Sequence, residues 1–281
     1  MGYLNPTEKS ERSFMTENDD KPDIRTERRG QSLWIWIDRE ERRNAINKRV
    51  ISGIEKAVTE AQQDPVLRGI VLTGAGRKAF CAGADLGGGT ETFTLGLDEP
   101  MTDFGKLARV VRNIGIPIIG RINGDCVAGG MGLMSLCDLV VVADHARFGL
   151  PEAKVGVFPM QVLVLLRGMI GARHVNELCL TGELIGAARA REIGIANYVV
   201  PFEELDAQVD ALMSKIGEMS PVALRRGKYA IAAMESMAFA EAMAFAETLI
   251  SVTSLTNDAA EGIAAFNERR PPKWRQKVND A

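Results

Sequence analysis

Apolar positions along this chain recur in two alternating periods. Leu33-Trp34-Ile35-Trp36-Ile37 is dense in strand formers and follows a Gly30-Gln31 turn signal, which predicts a β-hairpin. From Asn47 the period lengthens. Val50, Ile51, Ile54, Ala57, Val58 and Ala61 share one helical face, and Asp64-Pro65 ends the run. Gly69-Ile70-Val71-Leu72-Thr73 is a short apolar run opened by glycine, the pattern of a buried strand. Ile116-Pro117-Ile118-Ile119-Gly120 predicts another strand, a glycine-rich turn leads into a helix over 130–136, and residues 138–142 predict a further strand. Strand and helix alternating in this way argue for βαβ units and a mostly parallel sheet, hence an α/β fold.

After Pro159 the pattern becomes largely helical. Residues 204–216 and 222–249 carry long apolar stripes, and 258–266 reads as a last short helix. The Ala-rich stretch 230–246 predicts a closely packed helix. Residues 1–23 carry charge throughout and too little apolar surface to order themselves, so they are expected to be a flexible extension. This divides the chain into an extension over 1–23, a core over 24–200 and a helical region over 201–281.

Composition narrows the function classes. The 281 residues are 46% hydrophobic, ample for one large core. With 34 basic and 37 acidic residues the net charge is -3, which gives no electrostatic case for nucleic acid. No uncharged apolar run approaches the ~18 residues of a membrane span, so no membrane partner is expected. Cys81, Cys126, Cys137 and Cys179 show no CxxC spacing, and His145 and His174 are the only histidines, so no metal is expected. A reduced, cytoplasmic compartment fits this usage, with a disulfide left open.

Two segments cluster small residues where strands end: Ala79-Phe80-Cys81-Ala82-Gly83-Ala84-Asp85-Leu86, and Asn123-Gly124-Asp125-Cys126-Val127-Ala128-Gly129-Gly130-Met131-Gly132. Ligands of open α/β sheets sit at such strand ends, and small residues let them approach backbone N–H groups. Two such loops could aim two donors at one oxygen, an oxyanion hole worth about 3–4 kcal/mol per donor in a transition state. The same glycines also serve tight turns and close helix–sheet packing. Gly74-Ala75-Gly76-Arg77-Lys78-Ala79 separately matches the dinucleotide fingerprint G-x-G-x-x-A, with Asp98 or Glu99 near the expected acidic position. That motif requires a helix to start at once, whereas Gly83, Gly87, Gly88 and Gly89 make the following stretch read as loop.

At these residues the chain resembles the crotonase (enoyl-CoA hydratase/isomerase) superfamily. Arg42-Arg43-Asn44-Ala45-Ile46-Asn47 is similar to its first signature, residues 79–86 to its second, 122–138 to its third, and Arg147-Phe148-Gly149-Leu150-Pro151-Glu152 to its fourth. The order and separations match, and the resemblance spans roughly residues 24–275. It implies a ClpP-like spiral of ββα units with a helical C-terminal trimerisation region, and a homotrimer or homohexamer. It also implies an acyl-CoA substrate whose thioester oxygen is held by the N–H groups of Ala84 and Gly129, with coenzyme A arriving as part of the substrate and no separate cofactor. Ala82, Ala84, Asp85, Leu86 and Gly87 would line the pantetheine and thioester. Arg43 and Ala45 would lie near the adenine and phosphates, with Arg42 and, from the C-terminus, Lys273, Arg275 and Lys277 as further cations.

The family's hydratases use two carboxylates. Here the position of the first is Gly132, and the second matches Glu152. One carboxylate facing an oxyanion hole fits double-bond isomerisation better than hydration, unless Glu91, Asp98, Glu99, Asp103, Asp85 or Asp125 supplies a second acid. Residues 87–104, with Phe158 and Met160, would shape the acyl pocket. Without the resemblance, Glu152 reads more readily as a surface acid favoured at a helix start. A non-catalytic acyl-CoA-binding member of the fold, and an NAD-dependent oxidoreductase, stand as alternatives.

Overall fold

The computed structural model describes residues 21–276 apart from 96, 97 and 99. The expected extension, except residues 21–23, therefore lies outside the described residues, as do Glu99, Lys277 and the side chain of Glu91.

The predicted hairpin forms from β1 (Ile24–Arg29) and β2 (Ser32–Ile37), antiparallel about Gly30, whose φ of +54° suits glycine. Helix α1 (Lys48–Gln63) starts where Asn47 caps it, its side chain accepting from the Val50 N–H at 2.8 Å. All six periodic apolar residues of α1 are buried. The chain continues through β3 (Gly69–Gly74), β4 (Ala79–Cys81), α2 (Asp103–Arg112), β5 (Ile118–Ile122), β6 (Asp125–Val127), α3 (Gly129–Ser135), β7 (Leu139–Ala143) and β8 (Arg147–Gly149). Then come α4 (Met160–Leu166), α5 (Ala172–Thr181), β9 (Ile185–Gly186), α6 (Ala187–Glu192) and β10 (Tyr198–Val200).

The strands form two sheets. One runs β1-β2-β3-β5-β7-β10 and the other β4-β6-β8-β9, parallel except at the β1–β2 and β8–β9 pairs. Each of β3–β4, β5–β6 and β7–β8 gives one strand to each sheet before the chain turns away. The alternation seen in the sequence is thus a spiral of ββ units with intervening helices rather than one doubly wound sheet. β5 begins two residues later than its apolar run suggests, because Pro117 has no N–H to give the ladder and supplies only its carbonyl, to the Ile70 N–H at 2.9 Å.

Helix α7 (Leu205–Gly217) buries Leu205, Val209 and Leu212 with Trp34, Val71, Ile119 and Val141, so the first long helix after residue 200 covers the larger sheet. The apolar stripe over 222–249 is not one helix. It divides into α8 (Pro221–Met234) and α9 (Phe239–Ser254), so the Ala-rich stretch spans a break. Arg112 of α2 causes much of this: its guanidinium takes the Ala232 carbonyl at 2.7 Å, the acceptor a continuing helix would offer to residue 236, and pairs with Glu235 at 2.8 Å. α10 (Asn257–Asn267) and α11 (Lys273–Gln276) complete the chain. No residue of α8 or α9 is fully buried, and Ile231, Phe239, Ile250, Leu255, Ile263 and Phe266 are exposed. No helix of the described residues is long and apolar enough to cross a membrane.

Candidate active site

The signature segments meet at one parallel bridge, Ile46 with Ala84. Ile46 N–H donates to the Gly83 carbonyl and Asp85 N–H to the Ile46 carbonyl, each at 2.8 Å, while Ala82 N–H donates to the Arg43 carbonyl at 3.1 Å. A parallel bridge uses the far sides of the two peptides flanking its central residue. The N–H of Ala84 therefore points away from residue 46, and it has no hydrogen-bond acceptor among the described residues.

The second loop supplies the facing amide. β6 pairs with β8, Ala128 N–H donates to the Gly149 carbonyl at 2.9 Å, and the chain then turns into α3. Ala128 makes that turn at φ +52° and ψ -128°, a strained conformation for a residue with a Cβ. The turn leaves Gly129 N–H as the first of its helix, with no intrahelical acceptor. A Cβ on Gly129 would lie 3.5 Å from the Ala84 nitrogen, and one on Gly83 would lie 3.4 Å from the Gly129 nitrogen. The two free amides are thus near neighbours.

Glu152 lies in the short turn Pro151–Val155 just after β8, the strand that pairs with β6 through Val127 and Gly149 ahead of the Gly129 turn. Lys154 and Pro151 of that turn pack where a Cβ at Gly182, just beyond α5, would fall. The Glu152 Oε2 is buried with no hydrogen-bond partner. Burial pushes its carboxyl above the ordinary 4.5, partly offset by a hydrogen bond from its own backbone N–H. Two unsatisfied amide donors and one half-buried, unpaired carboxylate can together stabilise an oxyanion and carry a proton.

Gly132 has no free space. An added Cβ would stand 2.7 Å from Phe104 Cζ and 3.2 Å from Val162 Cγ2, so the ring of α2 fills that position. Of the other acids considered, Asp85 pairs with Arg39 at 2.9 Å, which first among its contacts holds its carboxyl below the usual 3.8. Asp125 takes both arms of Arg147. Asp103 opens α2 near Lys106 at 3.9 Å, and Asp98 is exposed.

Among the binding candidates, Ala45, Ala82, Ala84 and Asp85 are gathered at the bridge, whereas Leu86 and Gly87 begin an exposed single-turn stretch. Arg42 and Arg43 are exposed, Arg43 at φ +51°. Lys273 pairs with Glu261 at 3.6 Å and Arg275 with Glu218, both on this chain. Met160 is exposed and Phe158 partly buried against the core.

The dinucleotide motif at residues 74–79 is followed by strand β4 and no helix, which removes its phosphate-binding geometry. All four cysteines are free and buried, and burial pushes the Cys81 thiol up to about 12, far from a nucleophile's range. Arg39 carries no mark in the sequence, and Phe104 is expected only as the end of the 87–104 segment, not as the occupant of the Gly132 position. Arg39 is one of several arginines in a charged run, and only its burial sets it apart.

Known proteins point the same way. The family model for enoyl-CoA hydratase/isomerase matches residues 28–277. A Mycobacterium bovis protein named "probable enoyl-CoA hydratase echA8" is 34% identical over 249 residues, covering 86% of this chain and 94% of its own. The carnitinyl-CoA dehydratase of an Escherichia coli strain is 33% identical over 253 residues, covering 88% and 96%. A crystal structure of a Mycobacterium smegmatis enoyl-CoA hydratase superposes with a TM-score of 0.82 at 28% identity, covering 90% of this chain and 99% of that one. With the spiral of strands, the four signature segments and these relatives in agreement, the chain belongs to the enoyl-CoA hydratase/isomerase family, the crotonase superfamily, and is an enzyme of that type.

Proposed function

We propose that this enzyme isomerises the double bond of an unsaturated acyl-CoA thioester through an enolate held between Ala84 N–H and Gly129 N–H, with Glu152 moving the proton. The observation that carries the proposal is the unpartnered, buried Glu152 Oε2, in the turn that follows the strand paired with the loop bearing a free amide. In this scheme Glu152 takes the α-proton of a 3-enoyl thioester, the electron pair delocalises onto the thioester oxygen, and the proton returns at the γ-carbon to leave a 2-enoyl thioester. The amides act where charge develops, so their contribution is to the transition state. Coenzyme A enters as part of the substrate, near the 43–45 loop and its exposed Arg42 and Arg43.

The lean toward isomerisation is supported by the Phe104 ring at Gly132, which a second carboxylate there would have to displace. Relatives named as hydratase and dehydratase favour water chemistry as the second reading. Incubation with 3-hexenoyl-CoA and 2-hexenoyl-CoA decides between them. The expected product is 2-hexenoyl-CoA from the first, with no hydroxyacyl product from the second; rapid hydration of 2-hexenoyl-CoA would reverse the choice. Binding of 3-hexenoyl-CoA with neither a shifted double bond nor added water would remove the catalytic reading and leave a binding protein.

The bare apolar faces of α8–α10 support assembly into a trimer or a dimer of trimers. Light scattering on the purified protein should give a mass of three or six chains, and a monomer at micromolar concentration would refute this.

A further inference from the structure

The donor at Ala84 stands on a very small piece of sheet, and one half-buried guanidinium ties that piece together. Arg39 follows β2, and its side chain is only 12% exposed. Its Nη1 donates to the Ala45 carbonyl at 2.6 Å and its Nη2 to Asp85 Oδ2 at 2.9 Å. Its Nε lies 3.5 Å from Asp23 Oδ1. Ala45 and Asp85 sit on the two strands of the bridge whose central residue is Ala84. Asp85 also accepts from Gly87 N–H at 3.1 Å, so its carboxylate fixes the loop on the far side of the donor.

The base of this strap is itself rigid. Arg39 N–H donates to Asn44 Oδ1 at 3.1 Å, and Asn44 N–H returns a bond to the Arg39 carbonyl at 2.9 Å. Asn44 is buried, takes φ +57°, and donates from Nδ2 to the Ala75 and Ala79 carbonyls. Two successive left-handed residues, Arg43 and Asn44, are thus held in place by side-chain bonds. The guanidinium reaches the two acceptors from separate nitrogens because its donors form a fixed planar fork, whereas an ammonium would have to meet both from one nitrogen.

We infer that Arg39 is a positioning residue, setting the direction of the Ala84 N–H by joining the Ala45 carbonyl to the Asp85 carboxylate across the bridge. This rests on the proposed role of Ala84 as an oxyanion donor. The strap touches no reacting atom and works only through the loop that carries the amide.

The test separates the two layers. Hexanoyl-CoA with 13C at the thioester carbonyl is bound to the wild type, Arg39→Gln, Arg39→Lys and Asp85→Asn, and its C=O stretch is read by isotope-edited infrared spectroscopy. The wild type should shift the band to lower frequency, and all three variants should shift it less. Turnover, followed as conversion of 3-hexenoyl-CoA to 2-hexenoyl-CoA, should fall on the order of tenfold to a hundredfold in kcat with a smaller change in KM. Arg39→Gln combined with Asp85→Asn should lose no more than the worse single change. No band shift, or no binding, in the wild type would overturn the oxyanion assignment itself. A full shift in variants that merely melt earlier would overturn the strap and leave that assignment standing. Should Arg39→Gln not fold, the band positions of Asp85→Asn and Arg39→Lys decide between these outcomes in the same way.

Discussion

Glu152→Gln is expected to lower turnover by about 10³-fold, within the range for loss of a general acid–base group, while raising the melting temperature at neutral pH. The two effects share one cause. Burial of the carboxyl, with Oε2 unpartnered, favours its protonated form and raises its pKa above 4.5. A carboxyl whose folded-state pKa is raised contributes stability that is complete below its unfolded value and is lost as pH rises through the folded value. At neutral pH the wild type bears the cost of an ionised, poorly solvated group, which glutamine does not. The melting temperatures of the two proteins should therefore converge below about pH 4.5 and separate as pH rises above it. The same displacement puts the acid limb of the wild-type rate profile above 4.5, since Glu152 must be ionised to take the α-proton. Acyl-CoA binding should persist in the variant. Full activity in Glu152→Gln, or a lower melting temperature at pH 7, would contradict the assignment.

Restoring a carboxylate one turn into α3 should damage this protein rather than convert it. Gly132→Glu is expected to destabilise by about 2 kcal/mol or more, because overpacking and an unpaired charge act together. The new Cβ would meet the Phe104 ring and Val162, and the position is buried. Phe104→Ala alone leaves a cavity and should cost on the order of 3 kcal/mol, reduced by the ring's partial exposure. Joined, the two changes should cost less than their sum, since each relieves the other's defect. Only that double variant should gain water addition to 2-hexenoyl-CoA. Melting curves and product analysis of the three variants check this. A stable, hydrating Gly132→Glu would show that Phe104 does not govern the choice.

The elements that were legible in the sequence are those whose signal is local. The buried face of α1 and its Asn47 cap, the largely apolar and wholly buried β3, and the Gly30 hairpin each arise from periodicity or from one residue's conformational freedom. The two small-residue loops were visible for the same reason. Gly83 takes φ +99°, and a Cβ on Gly130 would stand 2.3 Å from the Cys81 carbonyl.

The break between α8 and α9 was not legible. It depends on Arg112, more than a hundred positions away, taking a carbonyl that the local apolar stripe leaves unmarked. Nor was the space at Gly132, because glycine reads identically whether its missing side chain is vacant or occupied by a neighbour's ring. Arg39 was hidden by the charged run around it.

By itself, then, the sequence determined the alternation of strands and helices and the two glycine-rich turns. Those properties follow from neighbouring residues and from side-chain type. Tertiary structure alone decided which amides stay unbonded, which oxygen of Glu152 has no partner, and which arginine bridges two acceptors. Hydrogen-bond satisfaction and burial belong to pairs of groups brought together from distant parts of the chain, and no single position in the sequence carries them.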